Sequence, residues 1–243
     1  MICQRHDFAT LDQCCRSLAE HIVATARQCV AERGRFTLVA SGGATPKPLY
    51  RLLGAPGFAE RMPWRQTHLF WGDERCVAAD HPDSNFRMVK EELLVPGLPS
   101  AAAVHRMQGE MPPEKGAAAY EKELRIFFSN DQDESIAWPV FDLVLLGLGS
   151  DGHTASLFPG SPALAEQTRW VTATSPGALD PQVDRLTLTI PAINNGAQVI
   201  FLVAGKKKKA LVDRILADRQ GSGVYPAARI TPQTKLLWYI ADA

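Results

Sequence analysis

FDLVLLGLGSDGHTASLFPG, residues 141–160, opens as an apolar run almost without polar alternation and closes as a loop punctuated by glycine. A short apolar stretch bounded by turn residues reads as a strand buried on both faces, which belongs in a parallel sheet covered by helices. The same grammar recurs on either side. Upstream, RFTLVA (35–40) leads into the tight turn SGGAT (41–45) and then PKPLYRLLG (46–54), where Thr45 is placed to cap a helix and Pro46 to occupy its first position. THLFWG (67–72) leads into a polar loop and a helix expected from about Ser84 to Leu94.

Downstream, RWVTATS (169–175), RLTLTI (185–190), QVIFLVAG (198–205) and KLLWYIA (235–241) read as strands, and KKKALVDRILADR (207–219) as a helix. Near the start, Leu11, Cys15, Leu18, Ile22, Ala26 and Val30 recur at helical spacing, with Thr10 and Gln13 as a capping box and Gly34 as the stop. Strands alternating with helices specify an α/β fold with a mostly parallel sheet and helices on both faces. Residues 96–113 and 129–139 lack clear periodicity and read as surface connections.

The chain has 243 residues, 46% of them hydrophobic, enough for one large α/β domain spanning 1–243 with no linker or repeat to divide it. Its 26 Lys and Arg balance 26 Asp and Glu, so no net field favours nucleic acid or a membrane surface, and an anionic ligand must be held by a local cluster. The expected partner is a small molecule, and the charge balance allows a monomer or weak homo-oligomer. Cys3, Cys14, Cys15, Cys29 and Cys76 form no C-x-x-C pair and are odd in number, which suits a reducing compartment. Residues 1–13 meet charge at once and hold no apolar signal core, and no apolar run approaches the roughly 20 residues that span a bilayer. A cytoplasmic protein is expected.

In an open parallel sheet, ligands bind beyond the carboxyl ends of the strands, where each suggestive loop falls. In Ser41-Gly42-Gly43-Ala44-Thr45, glycines let the backbone approach a ligand and free amides point at an anion, although neither the Walker nor the dinucleotide spacing is present. Asp73-Glu74-Arg75 follows THLFW as three consecutive charges, either a solvated loop or groups that orient hydroxyls and polarise a carbonyl. Asp151 and His153 stand among Gly147, Gly149 and Gly152 just past the most apolar strand. An imidazole can accept a proton near neutral pH, and the neighbouring carboxylate can fix its tautomer or hold a hydroxyl. No G-x-S-x-G elbow accompanies the nearby serines, and two ligands without a partner histidine make no metal site. Lysines 206–209 begin a helix, where cations oppose the macrodipole unless an anion relieves them.

SGGATP, FWGDERCVAADHPDSNFRM, LLGLGSDGHTASLFPG, RLTLT and FLVAGKKKKALV, taken in order across nearly the whole chain, resemble the 6-phosphogluconolactonases. The wider superfamily includes the glucosamine-6-phosphate deaminases, whose acidic motif reads Asp-Glu-Tyr and whose histidine is followed by Asn-Glu-Pro. Here those places hold Asp73-Glu74-Arg75 and Leu157-Phe158-Pro159, both departures toward the lactonases. A deaminase/isomerase remains the enzyme alternative. A catalytically silent sugar-phosphate sensor is the other, although no helix-turn-helix segment precedes Thr10.

The resemblance implies a Rossmann-like fold and hydrolysis of 6-phospho-D-glucono-1,5-lactone to 6-phosphogluconate, the second step of the oxidative pentose phosphate pathway, with no cofactor. It implies His153 as general base, with Asp151 orienting it or holding a sugar hydroxyl, and Arg75, Arg185 or amides of the loop from Gly149 to Gly152 stabilising the developing oxyanion. Phosphate falls to the amides of Ser41, Gly42 and Gly43, the Thr45 hydroxyl and Lys208, three places after Gly205. Asp73 and Asn85 are implied sugar contacts.

Overall fold

Thr10 caps the first helix as its sequence predicts, its side chain accepting from the Gln13 amide, and Gly34 closes that helix in the left-handed region at φ 73°. The computed structural model describes residues 2–94, 102–129, 138–176, 180–217 and 224–242. In chain order the elements begin β1 (Ile2–Phe8), α1 (Leu11–Arg33), β2 (Phe36–Ala40), α2 (Lys47–Gly54), β3 (Thr67–Trp71), β4 (Asp73–Arg75), α3 (Asn85–Val89), β5 (Ala103–Val104) and α4 (Pro113–Phe128). They continue with β6 (Leu143–Leu146), β7 (Val171–Thr174), β8 (Arg185–Leu188), α5 (Ile190–Asn194), β9 (Gln198–Ala204), α6 (Lys206–Ala217) and β10 (Lys235–Ala241). The helix expected from about Ser84 to Leu94 runs as α3 and then widens to a π turn at Lys90–Leu94. Residues 96–101 of the connection expected at 96–113, residues 130–137 of that expected at 129–139, and the last two residues of the helix expected at 207–219 lie outside the described residues.

Seven strands form one sheet in the order β1-β10-β9-β6-β2-β3-β5, with every neighbouring pair parallel. Successive strand residues point to opposite faces, so the burial of every residue of β2 and β6 means that both faces are covered. α1 packs on β1, β2 and β10, and α6 on β9 and β10. The α/β class read from the sequence is the one observed. Among the described residues no helix is long and apolar enough to cross a membrane, and all five cysteines are free.

Some of the local reading is corrected. β7 and β8 join β4 in a separate three-stranded antiparallel sheet, order β4-β8-β7. Gly72 couples the two sheets: its N–H donates to Ala40 and its carbonyl accepts from Leu188. Residues 73–75 are therefore strand β4, not a solvated loop, and Asp73 and Glu74 are only 8% and 2% exposed. Thr45 does not cap α2, whose N-cap is Pro46 with no side-chain bond. The 103–104 part of the supposed surface connection pairs with β3 as β5. Two elements carry little sequence signal. β1 is an edge strand with most residues exposed, and α4 buries a stripe that begins with the small residues Gly116 and Ala117 before Tyr120, Leu124 and Phe128.

Candidate active site

Because β2, β3, β6 and β9 run parallel, the loops that follow them emerge on one edge of the sheet and enclose a cavity of about 230 Å³. Its walls are residues 41–46 after β2, Asp73 and Arg75 after β3, residues 147–149 and 153–155 after β6, and Lys208 on the first turn of α6. Four loops singled out in the sequence thus converge on one space.

The loop after β2 is held from behind. Tyr50 on α2 is buried, and its hydroxyl accepts from the Ser41 amide at 2.9 Å and donates to the Ser41 carbonyl at 2.8 Å. The Ser41 amide is therefore engaged, while among the described residues the amides of Gly42 and Gly43 make no backbone hydrogen bond. Tyr120 on α4 anchors the end of β3 in the same manner, accepting from the Trp71 amide at 3.0 Å and donating to the His105 carbonyl at 3.2 Å. Neither tyrosine stands out in the sequence, because a hydroxyl at the end of a buried ring looks like core.

The loop after β6 folds back on itself. The Gly149 amide donates to the His153 carbonyl at 2.9 Å, the Gly152 amide to the Gly149 carbonyl at 3.1 Å, and the Thr154 hydroxyl to the Gly147 carbonyl at 2.9 Å. Gly152 has φ 83°, and a Cβ there would lie 2.5 Å from the Tyr225 ring, so both backbone and packing require glycine. The consequence is a fixed imidazole. His153 Nδ1 lies 2.6 Å from Asp151 Oδ1, which also accepts the His153 amide at 3.1 Å, and the ring packs 5.0 Å from Phe158. That bond assigns the ring proton to Nδ1 and leaves the Nε2 lone pair available. Of the two roles considered for Asp151, orientation of the histidine is the one the contacts support.

Asp73 is also fixed from the His153 loop: its Oδ2 accepts from the Ser156 hydroxyl at 2.6 Å, and the Ser156 amide donates to Thr187 Oγ1 of β8 at 3.3 Å. Arg75 donates to the Asp83 carbonyl at 2.6 Å while lining the cavity. The lysine run separates by environment. Lys206 and Lys207 are exposed, Lys209 is drawn off to Asp242 at 2.7 Å and Asp7 at 3.1 Å, and half-buried Lys208 lines the cavity. Burial holds the Lys208 ammonium below its ordinary range.

Several expected contacts are not made. Arg185 is buried away from the cavity, donating to the carbonyls of Val183 at 2.8 Å and Pro181 at 2.7 Å, and burial and the neighbouring Arg75 lower its pKa. The Gly149 and Gly152 amides are consumed inside their own loop, while the Arg75 side chain lines the cavity. Asn85 lies beneath Gly42 and lines an adjoining cleft with Gly43 and Arg75, not the cavity of His153. Among the described residues no group of three or more His, Cys, Asp or Glu is arranged to hold a metal.

The model of the family described as glucosamine-6-phosphate isomerases/6-phosphogluconolactonase matches residues 9–238. The chain belongs to this family. It is 46% identical over 214 residues to the 6-phosphogluconolactonase of Synechocystis sp., covering 88% of this chain and 85% of that one. Among solved structures, the 6-phosphogluconolactonase of Trypanosoma brucei superposes with a TM-score of 0.85 at 31% identity, covering 99% and 96% of the two chains. That of Thermotoga maritima superposes with a TM-score of 0.82 at 32% identity over 99% and 100%. Leu157 and Phe158, which follow His153 in the same loop, are 0% and 7% exposed.

Proposed function

We propose that the chain hydrolyses 6-phospho-D-glucono-1,5-lactone to 6-phosphogluconate with His153 as general base. The observation that carries the mechanism is the 2.6 Å bond from Asp151 to His153 Nδ1, which leaves Nε2 basic in a cavity shared with the cations Arg75 and Lys208. Nε2 removes a proton from water as the water oxygen bonds to C1, and the carbonyl electrons move onto its oxygen. Arg75 meets that developing charge. The intermediate collapses by breaking the bond from C1 to the ring oxygen, and the imidazolium returns its proton to that oxygen, giving the open-chain acid. Asp151 stabilises the transient imidazolium without itself taking the proton.

The free amides of Gly42 and Gly43, the Thr45 hydroxyl and Lys208 hold the phosphate, so that binding energy at one end of the sugar orients the carbon at the other. His153→Ala should lower kcat by about 10²–10⁴-fold while 6-phosphogluconate still binds with near-normal affinity. Turnover within a few-fold of the parent would overturn the base assignment. Ammonia release from glucosamine 6-phosphate, in place of lactone hydrolysis, would overturn the reaction.

A further inference from the structure

One buried carboxylate beside the site takes no part in the steps above. Glu74 is 2% exposed and lies outside the walls of both the cavity and the adjoining cleft. Its Oε1 accepts the amides of Arg75 at 2.8 Å and Asn85 at 2.7 Å, and its Oε2 accepts the Phe86 amide at 2.7 Å and the Ser84 hydroxyl at 3.1 Å. Asn85 and Phe86 are the first two residues of α3, and Ser84 Oγ takes the amide of the third, Arg87, at 3.1 Å. The start of α3 is thus fastened to β4 through one side chain, which occupies the anion position that helix N-termini favour.

What α3 carries to that place is Asn85. Its Nδ2 donates to the Asp73 carbonyl at 2.9 Å, and its carboxamide fills the space beneath Gly42 so closely that a Cβ on Gly42 would lie 2.0 Å from Oδ1. A residue larger than glycine at 42 and the observed Asn85 cannot coexist. The height of the loop between β2 and α2 is therefore set from two sides: by Tyr50 through Ser41, and by Asn85 against Gly42.

We infer that Glu74 is a positioning residue for phosphate recognition, acting through Asn85 on the Gly42–Gly43 loop. The inference rests on the phosphate placement given above. A carboxylate accepts all four donors, whereas a carboxamide has a single acceptor oxygen and would turn its NH₂ toward backbone N–H groups. Glu74→Gln should therefore let the start of α3 shift, and with it Asn85.

The test compares the parent with Glu74→Gln, Asn85→Ala and the double variant. Hydrolysis of the phosphorylated lactone and of unphosphorylated glucono-1,5-lactone is measured, and inorganic phosphate affinity is read by calorimetry. Both single variants should raise KM for the phosphorylated lactone and weaken phosphate binding about tenfold, a larger loss than either causes in kcat/KM for the unphosphorylated lactone. The double variant should be no worse than the more affected single one, because both changes act on one path. Unchanged phosphate affinity in either folded variant, or equal loss on both lactones, overturns the inference, whatever happens to melting temperature. Should Glu74→Gln fail to fold, Asn85→Ala, which keeps the backbone donor to Glu74, decides alone. A parent that binds phosphate but hydrolyses neither lactone would sink the lactonase reading, and the phosphate affinities would still judge this one.

Discussion

His153 and Asp151 are two residues apart, and this short tether puts the carboxylate within reach of the imidazole, although in the sequence it leaves open whether Asp151 orients the ring or holds a sugar hydroxyl. Lys208 is picked out by the resemblance, three places after Gly205, and what surrounds each of the four lysines separates them, with Lys208 lining the cavity and Asp7 and Asp242 drawing Lys209 away. Burying the Lys208 ammonium depresses its pKa, and the sign of the consequence follows. Between the depressed folded pKa and the ordinary unfolded one, the unfolded chain binds more protons, so this group's contribution to stability rises with pH across that window and is unfavourable below it. Phosphate needs the ammonium, so KM for the phosphorylated lactone should climb at a lower pH than an ordinary lysine would dictate. Lys208→Met should raise KM about ten- to a hundredfold at neutral pH, as expected for losing a charge-assisted bond, and should melt no lower than the parent. Steady-state kinetics across alkaline pH, with melting curves on both proteins, check the two halves. A variant that melts well below the parent would contradict the buried-charge account.

At the scale of elements, the strands of the main sheet were legible because burial on both faces leaves a continuous apolar run, as in RFTLVA and QVIFLVAG. The small sheet was legible only in part: RWVTATS and RLTLTI read as strands and contain β7 and β8, whereas β4 is three residues long and composed entirely of charged residues, so no periodicity could distinguish it from a loop. Its internal burial is satisfied by partners remote in sequence: Ser156 for Asp73, and the start of α3 for Glu74. The hydroxyl of Tyr50, which joins α2 to the end of β2, was hidden because the buried ring that carries it looks like core. Removing it with Tyr50→Phe leaves the Ser41 N–H and C=O without their partner in a part-buried setting, at a cost of about 1 kcal/mol. The expected outcome is a lower melting temperature together with a raised KM for the phosphorylated lactone and little change in kcat, since the loop it holds binds phosphate and does not touch the reacting carbon. A fall in kcat at constant KM would place the effect on the His153 loop instead.

Over the whole molecule, the site exists because parallel strands deliver their following loops to one edge. Residues 41, 73, 153 and 208 therefore meet in one cavity although more than 160 positions of chain separate the first from the last. This convergence followed from the strand pattern alone, whereas the strand order, with β10 and β9 placed between β1 and β6, did not, because parallel pairing leaves no turn between neighbours to read. A ligand that bridges these loops should tie together parts of the sheet that contribute through different elements, and so protect the fold as a unit. With 6-phosphogluconate at about 100 times its Kd, linkage gives roughly 2.7 kcal/mol, which for a chain of this size corresponds to about 5–10 °C in melting temperature. Lys208→Met should lose most of that shift at the same ligand concentration. His153→Ala should keep most of it, because the base acts on water and the phosphate end supplies the affinity. If His153→Ala abolishes the shift while Lys208→Met retains it, the phosphate lies beside His153, and the orientation of the sugar in the cavity must be reversed.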